Sequence, residues 1–255
     1  MKKRYIIPII LIILFFAFPF PFLNGKEVHL SIDDFYSSFI ELKNEKYGSI
    51  YDQPTFHYLK SIHDITNAKF TLYTFPKAKN WSVSEIPTKY IKELNQSNWI
   101  KIGYHSDHPE SKNENSSNFQ NGYLYFENNI PPPLIAKALR LHYFHSSFDD
   151  ISFLKNKGIT KLFSADDNRI SYSLPPSVND SLLQKQSISY ASMTFEKTDF
   201  RTEHHFFPLL KVWSHIQDDV LVIFTHEWAL NFWNAAMFRI LVYYLAFYGC
   251  TFIME

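Results

Sequence analysis

Val28-His29-Leu30-Ser31-Ile32-Asp33-Asp34 is the stretch on which the fold turns. A short apolar, β-prone run closes abruptly in two acids, which reads as a strand over 28–32 with a carboxylate pair at its C-terminal end. Outward from it, similar runs recur at 69–75, 99–104, 139–144, 159–165, 220–225 and 251–254. Helix-like stretches separate them. One opens near Pro54 with Phe56, Leu59 and Ile62 on one face, and another starts at Asp149 and Asp150 and closes at Gly158. An apolar helical face spans 206–216, and a helix over 234–248 stops at Gly249. Such alternation predicts an α/β fold with about seven parallel strands. Pro131, Pro132 and Pro133 break the chain ahead of 139–144, and the Ser- and Asn-rich segment 110–121 reads as a surface loop.

The 255 residues suit one sizeable domain, 26–255, behind a short appendage, 1–25. Lys+Arg and Asp+Glu both number 25, so no net field recommends nucleic acid or an anionic membrane surface as the main partner. A glycan or another weakly charged ligand fits better. Aromatic residues make up 18% of the chain, enough to fill a core and to offer planar faces to sugar rings. The lone Cys250 has no intrachain partner, so stability rests on packing. Behind Lys2, Lys3 and Arg4, residues 5–25 carry no charge, and 6–23 are nearly all aliphatic or aromatic. This predicts a hydrophobic helix acting as an export signal or a membrane anchor. Its length and the lack of a small-x-small site before Lys26 favour an uncleaved anchor, while Pro8, Pro19 and Pro21 leave cleavage open. Basic residues ahead of the segment hold the N-terminus in the cytoplasm and place 26–255 outside it.

Polar residues fall where the strands end. Asp33-Asp34, His105-Ser106-Asp107-His108, His142 with His145, Asp166-Asp167 and His226-Glu227 all follow or close apolar runs. In parallel β/α folds those ends form the active-site rim. Each residue alone could be a cap or a surface histidine, but the same rim receiving His or Asp from strand after strand points to shared chemistry. Imidazole with carboxylate suits a divalent ion, zinc above all, and hence metal-assisted hydrolysis with a carboxylate base and a histidine acid. His29, His57, His63, His204, His205 and His215 lie away from that rim and read as ordinary structural or surface groups.

Four ordered stretches resemble the polysaccharide deacetylases of carbohydrate esterase family 4, across most of 26–255. Leu30-Ser31-Ile32-Asp33-Asp34-Phe35 is similar to the first motif, which implies Asp33 as catalytic base and Asp34 as metal ligand. Gly103-Tyr104-His105-Ser106-Asp107-His108-Pro109 is similar to the second and implies ligands His105 and His108. Arg140-Leu141-His142-Tyr143 is similar to the third, whose Arg orients the base. Phe224-Thr225-His226-Glu227-Trp228 is similar to the last and implies His226 as general acid. The resemblance implies a distorted (β/α) barrel, a divalent metal and a glycan substrate.

The chain also departs from that pattern. The family's ligand histidines usually stand four apart, whereas His105 and His108 are three apart, so His142 or His145 remains an alternative ligand. Phe35 stands where the family often has Gly. Arg140, Tyr143, Asp166, Asp167, Arg169, Glu227 and Trp228 are read as substrate-binding; the stretches 165–172 and 198–203, rich in acid, Arg and hydroxyl groups, suit hydrogen bonds to sugar hydroxyls, with a buried pair such as Asp199 with Arg201, or a helix cap, as the structural alternative. Two other functions stay open: a glycan-binding barrel without turnover, and a glycosidase using Asp33 or Asp34 with Glu227.

Overall fold

The computed structural model describes residues 23–111 and 115–255. In chain order the first half contains β1 (Glu27–Asp33), α1 (Ser37–Leu42), α2 (Pro54–Thr66), β2 (Phe70–Thr74), β3 (Lys77–Ala78), β4 (Trp81–Ser82), α3 (Thr88–Gln96), β5 (Ile100–Tyr104) and α4 (Ser116–Asn129). The second half contains β6 (Ala138–Leu139), α5 (Phe148–Asn156), β7 (Lys161–Phe163), α6 (Pro176–Lys185), β8 (Ser187–Tyr190), β9 (Met193–Glu196), β10 (Phe200–Arg201), α7 (Leu209–Ser214), β11 (Val220–His226), α8 (Phe232–Phe247) and β12 (Thr251–Ile253).

One parallel sheet runs β10-β11-β1-β2-β5, and a second joins β6, β7 and β9 in parallel, with β8 antiparallel on the outside. The sheets meet where Ala136 N donates to Ile102 O at 2.9 Å and His142 N donates to His105 O at 2.8 Å. At the other seam the chain runs from β9 through Asp199, whose N donates to Val222 O at 2.9 Å, into β10. Seven strand positions therefore circle an α/β barrel: β11, β1, β2, β5, β6, β7, and β9 continuing as β10. The expected strand at 251–254 is not one of the seven. As β12 it pairs only with Glu27–His29, filling the space below the short β1–β2 contact at Ser31 and Ile32.

β1 sits at the centre, and every residue from Val28 to Asp33 is buried, which accounts for its apolar run. The Tyr73 ring helps to fill the interior, its hydroxyl donating to Ala138 O at 2.9 Å. Gly103 makes room for that ring, since a Cβ there would lie 2.3 Å from it.

Several expected boundaries move. The strand expected over 139–144 ends at Leu139, and His142–Phe144 form a tight turn with Tyr143 and Phe144 at positive φ (53° and 55°). The turn is held by His142 N on His105 O and by Tyr172 N on Phe144 O, so the chain leaves the sheet and brings His142 inward. The N-cap of α5 is Ser147 rather than Asp149 or Asp150, because its hydroxyl accepts from Asp150 N while the Asp150 carboxylate accepts from Ser147 N. Half of the loop expected at 110–121 is helix: α4 begins at Ser116 with Asn115 as its cap, so those polar residues start a helix instead of avoiding one. α7 covers only Leu209–Ser214 of the face expected over 206–216. The hydrophobic helix read at 1–25 lies, up to residue 22, outside the described residues. Among the described residues no helix is long and apolar enough to cross a membrane.

Candidate active site

Strand register builds the first half of the site. β1 and β11 run parallel with Asp33 opposite His226, so the last residues of both strands stand side by side on the rim. The chain turns sharply at Asp34, which takes a left-handed φ of 54° while Phe35 N donates to Tyr73 O at 2.9 Å. The two consecutive carboxylates consequently take different partners.

Asp33 faces Arg140. This arginine is fully buried, and its Nη1 donates to Asp33 Oδ1 at 3.1 Å and to the Ser31 hydroxyl. Nη2 donates to Thr198 Oγ1 at 3.1 Å, and the guanidinium lies 4.2 Å from the centre of the Phe224 ring. Asp33 is thus held in one orientation by a charge that is itself held.

Asp34 faces two imidazoles. Its Oδ1 lies 3.4 Å from His105 Nε2 and 3.5 Å from His142 Nδ1, and the three ligand atoms fall within 4.8 Å of one another. The opposite nitrogen of each ring is committed to a backbone carbonyl, His105 Nδ1 to Arg140 O and His142 Nε2 to Pro109 O at 3.1 Å. A carbonyl only accepts, so those nitrogens carry protons, and each ring in its neutral form turns a lone pair toward Asp34. Asp34 Oδ1 is buried and makes no hydrogen bond, while Oδ2 accepts the Trp228 indole N–H at 3.0 Å. Three lone-pair donors converging on one point repel each other unless a cation lies between them, and one carboxylate with two imidazoles suits a divalent ion such as zinc. Protonation states fit. Burial and the neighbouring His105 ring bring His142 down to about 4, so it is neutral at physiological pH. Burial alone would raise the Asp34 carboxyl, but the imidazoles of His105, His226 and His142 around it hold it well below the usual carboxylate range.

His226 completes the rim. Its Nδ1 donates to Glu203, whose other oxygen accepts from Thr225 Oγ1 at 3.0 Å, and the Trp228 ring stacks on it at 4.9 Å. Burial opposes charge on this ring, yet the bond to Glu203 and the carboxylates of Asp33, Glu203 and Asp34 prevail and raise its pKa. Burial likewise pushes Glu203 up, but His226 holds it below its ordinary value. The pair therefore stabilises the fold between two limits: its contribution fades as pH falls through the lowered Glu203 value, and again as pH rises through the raised His226 value. In a Glu203→Gln protein the imidazole loses that support, and the alkaline limb of the kcat/KM pH profile is expected to move to lower pH. An unmoved limb would show that Glu203 does not tune His226.

A cavity of about 270 Å³ is lined by Asp33, Asp34, His105, His142, His226, Tyr143, Arg169 and Trp228, among others. Other residues named from the sequence stand elsewhere. His108 is half-buried and pairs with Glu110 at 3.2 Å, and His145 is exposed outside the three-residue cluster. Asp166 binds Arg201, its Oδ2 accepting from Nε at 2.8 Å, so Arg201 pairs with Asp166 rather than with Asp199, the alternative partner; Asp199 accepts from Val222 N at 2.7 Å and faces His215 at 3.2 Å. Asp167 forms an exposed pair with Arg169. Glu227 accepts the backbone N–H groups of Tyr36 (2.9 Å), Ser37 (2.7 Å) and Ser38 (2.7 Å), which caps the start of α1 and leaves its carboxylate committed to the backbone. Sequence reasoning named Glu203 only within the stretch 198–203 suited to sugar hydroxyls, and not as the partner of His226. The position of Glu203 just after β10, beside β11, is a signal only once the two strands are known to pair.

No family model and no curated protein matches the sequence. Solved structures do. The Bc1960 peptidoglycan N-acetylglucosamine deacetylase superposes with a TM-score of 0.52 at 13% identity, covering 91% of this chain and 86% of that one. A 4-alpha-glucanotransferase from Thermococcus litoralis gives 0.55 at 10% identity, over 90% of this chain but only 39% of that one. The Bdellovibrio bacteriovorus peptidoglycan deacetylase Bd3279 gives 0.47 at 18% identity, over 90% of this chain and 52% of that one. The structural neighbours thus include a peptidoglycan deacetylase at low sequence identity, and this chain shares its distorted α/β barrel fold.

Proposed function

We propose that this chain is a metal-dependent deacetylase that removes acetyl or similar acyl groups from a glycan outside the cytoplasm. The observation that carries the reading is the convergence of Asp34, His105 and His142 on one point, with an Arg-held carboxylate and a Glu-held imidazole lining the same cavity. A divalent ion, zinc by its donor set, would supply Lewis-acid polarisation of the acyl carbonyl and make water more acidic. Asp33, fixed by Arg140, takes the proton from the attacking water. His226, with Glu203 on Nδ1, presents Nε2 as the acid that protonates the departing amine or alkoxide. Tyr143 and Trp228 are 46% and 68% exposed at the cavity and offer faces on which sugar rings stack.

The export or anchor reading of 1–25 supports the extracytoplasmic placement. The glycosidase reading loses its second carboxylate, because Glu227 is occupied by three backbone donors. The test uses the full chain. Elemental analysis is expected to find about one divalent ion per chain, absent from Asp34→Ala and His105→Ala proteins. The loaded protein should release acetate from acetylated glycans and stop when the metal is chelated. A loaded protein that binds glycan but releases no acetate from N- or O-acetylated forms would sink the deacetylase reading in favour of a binding barrel.

A further inference from the structure

We propose that the outer face of α7 and α8, together with the 205–208 loop, lies flat on a lipid bilayer and holds the catalytic rim beside the membrane surface. The proposal rests on reading the uncharged N-terminal segment as membrane-embedded, and it adds a second, independent lipid contact made by the folded domain.

α8 is apolar on both sides. Inward it buries Phe238, Leu241, Val242 and Leu245, as an outer-ring helix should. Outward, where such a helix ordinarily shows charge, it shows Phe232 (92% exposed), Trp233 (40%) and Phe247 (67%), with Ile240 and Tyr243 half-buried between them. Its one charged residue, Arg239, is turned aside to Ser61 Oγ at 3.0 Å and to the Tyr58 ring. Beside it α7 and its leading loop add Phe206 (67% exposed), Phe207 (49%), Leu210 (53%) and Trp213 (39%). Two contacts make this one surface: Phe206 stacks on Trp233 at 4.9 Å, and Trp213 Nε1 donates to Tyr244 Oη at 3.2 Å. A continuous aromatic surface of this kind marks an interaction site on a water-soluble domain.

The place where the N-terminal segment joins the domain says what covers that surface. Gly25 N donates to Gly249 O at 3.0 Å, and Cys250 Sγ donates to Leu23 O at 3.4 Å, so the segment enters the fold at the C-terminal end of α8. From there the face runs along 16 residues of helix, about 24 Å at 1.5 Å per residue, to Phe232 next to the rim. A bilayer receives both the apolar segment and the Trp- and Phe-rich face, with Lys211 among the aromatics, in the manner of interfacial helices.

The chain's five tryptophans make the test selective. They are Trp81, Trp99, Trp213, Trp228 and Trp233, so the N-terminal segment adds no tryptophan emission of its own. The full-length protein is reconstituted into phosphatidylcholine vesicles whose acyl chains are brominated near the headgroup. Contact about 5–10 Å into the interface should quench the emission, and in a Trp213→Phe/Trp233→Phe protein that quenching should fall by more than about two-fold. Phe232→Glu, at a fully exposed position, should reduce the quenching without changing the far-ultraviolet circular dichroism. Protein that sediments with the vesicles but is not quenched, or is quenched equally in the double variant, overturns the docking face and leaves the N-terminal reading standing. Protein that does not sediment with vesicles at all overturns both.

Discussion

An Arg140→Leu protein is expected to lose about 3–5 kcal/mol of folding stability, because the substitution leaves the Asp33 carboxylate buried without its counter-charge. Leucine fills much of the aliphatic space, so packing explains little of the loss. Four groups lose a donor or a charge together: Asp33, Ser31, Thr198 and the face of Phe224. Urea unfolding followed by tryptophan emission measures the change. Adding Asp33→Leu to Arg140→Leu removes the orphaned charge and should recover a large part of the loss, since buried pairs are dearer to break than to replace. A double variant as unstable as the single would mean that Arg140 serves the barrel by filling space rather than by pairing.

His226→Ala should lower kcat on an N-acetylated glycan by about 10²- to 10⁴-fold, the range in which a positioned acid or base acts. KM and metal content should stay near those of the wild type, because His226 lies outside the Asp34, His105 and His142 cluster. The leaving group provides the control. An amine leaves poorly without a proton, whereas the nitrophenolate of an activated acetate ester leaves without help, so turnover of nitrophenyl acetate should fall far less. Equal losses on both substrates would remove His226 from the role of acid and make it a group that stabilises the addition step.

How much of this could be read from the chain depends on how far each feature reaches. Asp33, Asp34 and His226 follow apolar β-prone runs directly, and a parallel strand delivers its C-terminal residues to the rim wherever the rest of the barrel goes. The choice of the second histidine was not readable in that way. His108 is nearer to His105 along the chain, but His142 is brought beside Asp34 by a turn with two positive-φ residues, Tyr143 and Phe144. Nothing in an Arg-Leu-His-Tyr-Phe run marks those conformations; they follow from the hydrogen bonds to His105 O and from Tyr172 N, both made by distant segments. The acids behave likewise. Whether Glu227 touches substrate or caps a helix depends on α1 starting beside the end of β11, 189–191 residues away in sequence.

By itself, then, the sequence determined the parallel α/β architecture, the central place of the 28–34 stretch and the set of carboxylates and imidazoles on one rim, because hydrophobic periodicity and strand polarity are local properties. The tertiary structure decided the division of labour within that set: Asp33 with Arg140, Asp34 with His105 and His142, His226 with Glu203. It also decided that 193–201 rather than 251–253 completes the ring of seven. Each of these depends on which distant strands become neighbours, and hydrogen-bond and charge partners are chosen only when barrel closure brings their atoms within about 3 Å.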